Sequence, residues 1–178
     1  MKFALFYEIP VAKPFTDGKE HAAYKNTLEQ AVLGEQAGFH SFWTVEHHFL
    51  EEYSHCSNPE VLYGAIAART STMRLGYGVR LLPKPYNHPI RSAESAAVLD
   101  LISDGRVEFG TGRSSTRAEI EGFDIDPQDT RASARRPPRR SSPIARAAES
   151  ARRHAPPAGR PAPDTGRRRL ACHTRRRA

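Results

Sequence analysis

The chain has 178 residues, a formal net charge of +7 and a sequence pI of about 9.8. Such a charge usually indicates an anionic partner, but residues 1–126 carry 12 basic and 17 acidic side chains, whereas residues 127–178 carry the remaining 15 basic and 3 acidic ones. The first residues lack a signal-peptide core, no segment approaches the ~20 apolar residues of a membrane helix, and the two cysteines make no disulfide framework. These features argue against a secreted or membrane-spanning protein, and we expect a cytoplasmic one.

Apolar residues alternate between strand-like and helix-like spacing along residues 1–112. Gly38 ends the first helical pattern, and Asn58 followed by Pro59 marks the start of the second, because these residues suit the N-cap and the first helical position. The predicted strands cover residues 3–8, 41–46, 74–83 and 106–112. The predicted helices cover residues 20–37, a stretch from 59, and a stretch from 89 to Asp104, the last with Ile90, Ala93, Ala97 and Leu101 on its apolar face.

This β-α-β-α-β-α-β order with short connections predicts parallel strands, either in an open doubly wound sheet or in a (β/α)8 barrel. A doubly wound nucleotide-binding sheet would show a glycine-rich turn after its first strand, and "EIPVAKPF" has no glycine there. Polar residues follow strands two, three and four, where a barrel carries its active site. The sequence therefore favours a partial TIM barrel, with four of the eight strands, over residues 1–126.

The segment "VEHHFLEEYSHCSNPE", residues 45–60, carries the most unusual side chains. A metal site formed by His47 and His48 is unlikely on spacing, because adjacent residues at a strand end point to opposite sides. One histidine can instead face the barrel mouth while the other packs behind it, with Glu46 orienting an imidazole. From spacing alone, solvated loop histidines remain the alternative to catalytic ones.

Residues 127–178 differ in composition from the rest. They contain no Phe, Tyr, Trp, Val, Met or Lys, and their only large aliphatic residues are Ile144 and Leu170. Such a segment cannot bury enough apolar surface to offset chain entropy, so we expect a disordered basic tail. Its Arg, Ala and Pro content is typical of a GC-rich gene read out of frame, which predicts a frameshift just after residues 126–128. The alternative is an arginine-rich arm that binds nucleic acid, although it lacks interleaved aromatic residues and repeats.

Several motifs within residues 1–126 together resemble the flavin-dependent bacterial luciferase-like monooxygenases. They occur in the family's order: "EHHF" after the second strand, the Asn-Pro helix start, "GYGVRLLP" in the third strand, "HPIR" before the third helix, and "DGR" before the fourth strand. Any one of these motifs is weak, but five in register identify a member of the family.

The resemblance implies an oxidoreductase in which reduced FMN and O2 oxidise an aldehyde or another small organic molecule. By this resemblance His47 looks like the base that assists the flavin chemistry, with His48 beside it. Gly78 and Val79 match a non-proline cis peptide behind the flavin ring, and Arg113 matches an arginine near the flavin. Gly112 replaces the cysteine of luciferase itself, which implies monooxygenation rather than light emission.

The resemblance also implies partners: a flavin reductase that supplies reduced FMN, and a second subunit, since the intact parent is expected to be a homodimer. In this family much of the binding site for the flavin phosphate comes from the second half of the barrel. We therefore expect this chain by itself to have little or no turnover. Coenzyme F420 on the same barrel is the alternative cofactor. Nucleic-acid binding through the tail is the third hypothesis, and no metal is expected.

Overall fold

The computed structural model describes residues 1–114 and 116–127. The predicted disorder, the frameshift and the basic arm all concern residues that lie beyond Pro127, outside this part of the chain. The elements in chain order are β1 (Ala4–Tyr7), α1 (Lys19–Gln36), β2 (Ser41–Thr44), α2 (Pro59–Ala67), β3 (Arg74–Tyr77), β4 (Arg80–Leu81), α3 (Pro89–Ile102), β5 (Val107–Glu108), β6 (Thr111–Gly112) and α4 (Arg117–Gly122).

Four of the strands form one parallel sheet in the order β1-β2-β3-β5. Tyr7 pairs with Thr44, which in turn pairs with Tyr77, so the strands are in register and their carboxyl ends lie along one edge. A second parallel pair, β4 with β6, continues the third and fourth predicted strands beyond that edge. The predicted parallel α/β architecture is therefore confirmed, and α1, α2 and α3 each lie in the chain between two neighbouring strands of the four-stranded sheet.

The third and fourth strands are each interrupted, although the sequence predicted them as single strands over residues 74–83 and 106–112. The first interruption falls at Gly78–Val79, where the peptide bond is cis, as the resemblance implied. The second falls at Gly110, which approaches the β3 backbone so closely that an added Cβ would lie 2.2 Å from the Tyr77 carbonyl oxygen. The backbone pairing then resumes through a hydrogen bond from the Arg80 amide to the Gly110 carbonyl at 2.9 Å. Alternating hydrophobicity cannot reveal such breaks.

The core lies between the sheet and the helices. Phe42, Leu75 and Tyr77 project from the strands onto Tyr63 and Ile66 of α2, and all five side chains are buried. The Tyr63 hydroxyl also accepts a hydrogen bond from the Thr44 amide at 3.0 Å, so a buried polar atom is satisfied at the end of β2. This packing fixes the strand end from which the His47–His48 pair emerges.

The opposite, inner face of the sheet is less covered. Phe6 is 58% exposed there. The Trp43 indole lies flat against Gly76, where an added Cβ would come within 2.2 Å of it. An added Cβ at Gly78 would lie 3.1 Å from the Phe6 ring. Gly76 in β3 and Gly78 just after it therefore allow two aromatic side chains to lie against the backbone, and the inner face is flat and aromatic.

The apolar face predicted for α3 is only partly right, since Ala93 is buried as expected but the face as a whole is not. Ile90 and Leu101 are 46% and 62% exposed, and the buried side chains are Ser92, Ala93 and Leu99. The buried face includes Ser92 because a buried charge lies opposite it: Nε of Arg80 lies 3.4 Å from Oγ of Ser92, a polar contact that the hydrophobic pattern could not indicate. No helix of the described residues is long and apolar enough to cross a membrane.

Candidate active site

His47 lies three residues beyond β2, at the carboxyl edge of the sheet. Its Nδ1 donates a hydrogen bond to Oε1 of Glu119 at 2.9 Å, and the backbone amide of His48 donates to the same oxygen at 3.1 Å. Glu119 belongs to α4, so the last described helix is tied to the histidine pair. The Nδ1 bond fixes both the ring orientation and the position of the proton, and it leaves Nε2 as the reactive nitrogen.

The Glu119 carboxylate is 1% exposed, and two further donors reach its other oxygen. Its Oε2 accepts a hydrogen bond from the Ser114 hydroxyl at 2.6 Å and another from Thr116. Burial by itself raises the pKa of a carboxyl group, but the hydrogen bonds from His47, Ser114, Thr116 and the His48 amide outweigh it and lower the pKa of Glu119 to about 2. Glu119 is therefore a fixed negative charge at neutral pH.

A second acid approaches His47 from the end of β1. Oε2 of Glu8 lies 3.8 Å from Nε2 of His47, and Tyr53 packs edge-on against the imidazole with ring centroids 5.9 Å apart. The hydrogen bond to Glu119 raises the pKa of His47, partial burial lowers it, and the charges of Glu119, Glu8 and Glu46 raise it further. The net shift is upward, so the surroundings of this imidazole favour its protonated form.

His48 points the other way, into an aromatic cluster of Tyr86, Phe123 and Phe49. Its ring is nearly parallel to Tyr86 at 6.1 Å and meets Phe123 edge-on at 4.9 Å. Phe123 in turn contacts Tyr86 and Phe49 with centroids 4.6 and 5.6 Å apart. The expectation that the two neighbouring histidines face different surroundings is confirmed, because one contacts acids and the other contacts rings.

Glu46 lies beneath the histidines and is only 2% exposed. It accepts hydrogen bonds from the Leu81 amide at 2.9 Å and from the Asn87 side chain at 2.6 Å. Its distance to Nε2 of His48 is 3.4 Å, so it does lie beside an imidazole as the sequence suggested. Its tighter bonds are to the loop after β4, and Glu119, not Glu46, orients His47.

Arg80 forms a buried polar layer with Glu46, Glu60 and Asn87. Its guanidinium donates to Glu60 at 2.7 Å and to the side-chain Oδ1 of Asn87 at 2.8 Å, and it lies 3.5 Å from Glu46. A buried guanidinium is stable only where its donors are paired, and these acids and amides pair it. The network ties α2, β4 and the start of α3 to the strand end below the histidines.

The other predicted site residues lie at the same edge. Gly78 and Val79 follow β3 directly, and Arg113 follows β6 and is exposed. An added Cβ at Gly112 would lie 2.6 Å from Cγ2 of Val79, so the valine side chain occupies the space that a larger residue at 112 would need. The structure thus brings the histidine pair, the cis peptide and Arg113 to one end of the sheet, as the strand order requires.

An open cavity of about 690 Å³ adjoins His47. Phe49, Tyr53 and Thr116 line it together with the backbone and acids of residues 50–52. Its volume is in the range of small-molecule sites, and its walls combine two exposed aromatic rings with the imidazole. Among the described residues, no group of three or more His, Cys, Asp or Glu side chains is arranged to hold a metal ion.

Three residues of this site were not predicted from the sequence: Glu8, Thr116 and Glu119. Glu8 stands directly after β1, so the rule that placed the histidines at a strand end would also have selected it. Thr116 and Glu119 have the spacing of a capping box, which predicts only the start of a helix. In the structure the Glu119 carboxylate turns to His47 instead, and no local pattern could indicate a partner 72 positions away.

A family profile described as luciferase-like monooxygenase matches residues 1–151. The chain belongs to the luciferase-like monooxygenase family. Members of this family are named as monooxygenases, and the family assignment made from the five motifs is therefore confirmed.

Individual relatives of this luciferase-like chain agree. It is 38% identical over 104 residues to 4-hydroxyprotoasukamycin monooxygenase of Streptomyces nodosus subsp. asukaensis, covering 58% of this chain and 27% of that protein. It is 31% identical over 121 residues to the oxygenase component of flavin-dependent trigonelline monooxygenase of Acinetobacter baylyi, covering 68% and 32%. Among solved structures, monooxygenase RslO1 from Streptomyces bottropensis superposes with a TM-score of 0.65 at 32% identity, covering 86% of this chain and 42% of that one.

The luciferase-like chain spans about a third of the length of the curated relatives that it matches. Solved luciferase-like monooxygenases share its fold over less than half of their own length. The parallel sheet described above therefore corresponds to the first part of a TIM-barrel monooxygenase.

Proposed function

We propose that this chain carries the histidine half of a flavin-dependent monooxygenase site that acts on a small organic substrate with O2, with reduced FMN supplied by a flavin reductase. The observation that supports it most is the convergence of His47, the cis Gly78–Val79 peptide and Arg113 at one sheet edge, within a member of the luciferase-like family. The name of the Acinetobacter relative, an oxygenase component, supports a separate reductase.

The described residues fit a flavin ring better than its phosphate. Trp43 lies against Gly76 and Phe6 against Gly78, and the two rings leave a flat aromatic wall beside the Gly78–Val79 peptide, on which a planar ring can stack. Arg113 would supply a cation near an anionic part of the cofactor. No basic cluster of the kind that grips a phosphate is found among the residues lining the cavity beside His47. We therefore propose that the ring is held here and the phosphate by a part of the intact barrel that the described residues do not include.

The chain's own residues would prepare the site as follows. Reduced FMN, when bound, would supply the chemistry that activates O2. Glu119 holds the His47 ring through Nδ1, so Nε2 presents a proton or a lone pair to the cavity. The aromatic cluster around His48 limits the access of water from the other side. The buried bonds of Glu46 keep the strand end that carries both histidines in place.

Binding can be tested by titrating the full chain with FMN, both oxidised and photoreduced under anaerobic conditions, and following flavin fluorescence and absorbance. We expect weak but saturable binding, and we expect Gly78→Leu to weaken it at least tenfold by projecting a large side chain beside the ring wall. Val61→Leu on the exposed face of α2, another change to leucine, is the matched control and should bind like the unaltered chain.

The outcomes separate the hypotheses. If a deazaflavin binds saturably and FMN does not bind, the result would favour an F420-dependent oxidoreductase. Salt-sensitive RNA binding that disappears on deletion of residues 127–178 would support the nucleic-acid hypothesis. Turnover is a separate question: we expect flavin-dependent oxidation of an aldehyde far below that of an intact relative. An activity comparable to that of the relative would overturn the view that this chain is an incomplete enzyme.

A further inference from the structure

The Nε2 atom of His47 has a partner that the family resemblance does not supply. Because Nδ1 is engaged by Glu119, Nε2 is the nitrogen that remains, and a carboxylate oxygen, Oε2 of Glu8, lies 3.8 Å from it. That oxygen is buried and forms no hydrogen bond within the described part of the chain. A buried acceptor without a donor is costly and calls for an explanation at the site where it occurs.

The geometry around Glu8 holds its carboxylate in this place. Its other oxygen lies 3.4 Å from the Tyr53 hydroxyl, and its backbone carbonyl accepts a hydrogen bond from the Ser54 side chain at 2.7 Å. A separation of 3.8 Å is an ion-pair distance but slightly longer than a hydrogen bond, so a small rotation of either side chain would close it. The unsatisfied oxygen is thus aimed at an imidazole nitrogen that carries a proton whenever the ring is charged.

The charged groups that face His47 are all acidic. Glu8 reaches it from the end of β1, Glu46 from the end of β2, and Glu119 from α4, while Tyr53 offers only a ring edge and a neutral hydroxyl. No Lys or Arg side chain is paired with His47 among the interactions of the described residues. An imidazolium between two carboxylates is stabilised from both nitrogens.

We propose that Glu8 is a positioning residue that shares the Nε2 proton of His47, so that the imidazole rests as a cation between Glu8 and Glu119 and meets the substrate first as a proton donor. Only the last part of this assignment, proton donation to a substrate, rests on the proposed function. It differs from the role of base implied by the resemblance, since a charged ring must lose its Nε2 proton before it can accept one.

The proton balance requires only the site and the solvent. When the imidazolium transfers its Nε2 proton to an acceptor in the cavity, the ring becomes neutral and keeps its Nδ1 proton on the Glu119 side. A hydronium ion of the solvent then supplies the replacement proton and becomes water, and the partly exposed Glu8 carboxylate can pass that proton on to Nε2, which restores the imidazolium. No metal, oxidant or further residue is required for this cycle.

The test is a histidine titration of the full 178-residue chain by ¹H–¹⁵N NMR, which reads the protonation of each ring nitrogen without any ligand. His47 is assigned by the loss of its signals in His47→Gln. We expect His47 in the unaltered chain to titrate above the usual histidine value of about 6.5. Glu8→Gln should lower its midpoint by about 0.5 to 1 pH unit, an amount reduced from that of a fully buried pair by the partial exposure of both groups.

Glu51→Gln is the matched control, because Glu51 lines the same cavity but is exposed and paired with Lys13. It should leave the His47 midpoint unchanged. If Glu8→Gln also leaves it unchanged, or if His47 in the unaltered chain titrates at or below the usual value, the proposal is overturned. The second criterion needs no variant, so a poorly folding Glu8→Gln chain does not prevent the decision.

The outcome is independent of the proposed function. If FMN fails to bind but the His47 midpoint is lowered in Glu8→Gln, the proposed monooxygenase function is rejected and the charged state of His47 is supported. If FMN binds but the midpoint is unchanged, the charged state is rejected and the proposed function is supported. Where FMN does bind, Glu8→Gln should also move the pH dependence of binding or turnover in the same direction as the His47 midpoint, which a merely structural residue would not do.

Discussion

His47 and His48 are adjacent in the chain and have almost nothing in common in their surroundings. His47 contacts two carboxylates, Glu119 and Glu8, and lines an open cavity. His48 is packed among Tyr86, Phe123 and Phe49, with Glu46 at 3.4 Å as its nearest acid. The difference shows that two adjacent residues at the end of a strand can lie in chemically different surroundings. We propose the acid-flanked imidazole of His47 for proton transfer and the ring-flanked imidazole of His48 for closing the site.

The largest expected effect concerns the buried layer that supports both histidines. Glu46→Ala removes the acceptor for the Leu81 amide and the Asn87 side chain and leaves Arg80 with less negative charge around it. Breaking such a buried pair should lower the free energy of unfolding by about 3 to 5 kcal/mol. Urea unfolding monitored by Trp43 fluorescence measures it, and Glu29→Ala on the exposed side of α1 should change stability by less than about 0.5 kcal/mol.

An intermediate effect is expected on the His47 side and depends on pH. The pKa of Glu119 falls from its usual 4.5 to about 2 in the folded chain, so its stabilisation is present above pH 4.5 and is lost as pH falls through 2. His47 acts in the opposite sense, because its raised pKa gives a contribution that is present at low pH and is lost as pH rises through its folded-state value.

Glu119→Gln tests this linkage, since glutamine keeps the shape and accepts hydrogen bonds but carries no charge. We expect it to cost about 2 kcal/mol at pH 6, and the difference from the unaltered chain should disappear between pH 4.5 and pH 2. The measurement is the urea midpoint at several pH values. A difference that stays constant down to pH 2 would contradict the assigned charge on Glu119.

A smaller effect is expected on the His48 side. Phe123→Leu keeps most of the apolar volume but removes edge contacts to His48 and Tyr86, so it should cost about 1 kcal/mol. The ring signals of His48 should shift in the NMR spectrum while the titration of His47 stays unchanged. If the His48 signals and the His47 titration change together, the surroundings of the two histidines are coupled and not separate.

The smallest effect is expected at Tyr53, which touches His47 without carrying charge. Tyr53→Phe removes a hydroxyl that lies 3.4 Å from Glu8 and is largely exposed, so stability should change by less than about 0.5 kcal/mol. The ring edge that packs on His47 remains. We therefore expect the His47 midpoint to change by less than in Glu8→Gln, and a change as large as that would assign the positioning role to Tyr53 instead.

Much of the fold could be predicted because its signals are local. Asn58-Pro59 marked the start of α2 correctly, and Gly38 follows the end of α1 with a positive φ of 85°. The interruption at Gly110 and the buried face of α3 could not be predicted in this way. Both depend on a neighbour from another element, the Tyr77 carbonyl in one case and the Arg80 guanidinium in the other.

The sequence by itself determined the family, the parallel α/β order and the edge at which the site lies, because motif order and the alternation of strand and helix patterns are properties of the chain alone. Only the tertiary structure decided which acid serves which histidine. Glu119 and Glu8 lie 72 and 39 positions from His47, and they reach it because parallel strands bring all their carboxyl ends to one edge. Long-range pairing of this kind leaves no periodicity in the sequence, which is why the acids that raise the pKa of His47 could be identified only in the folded chain.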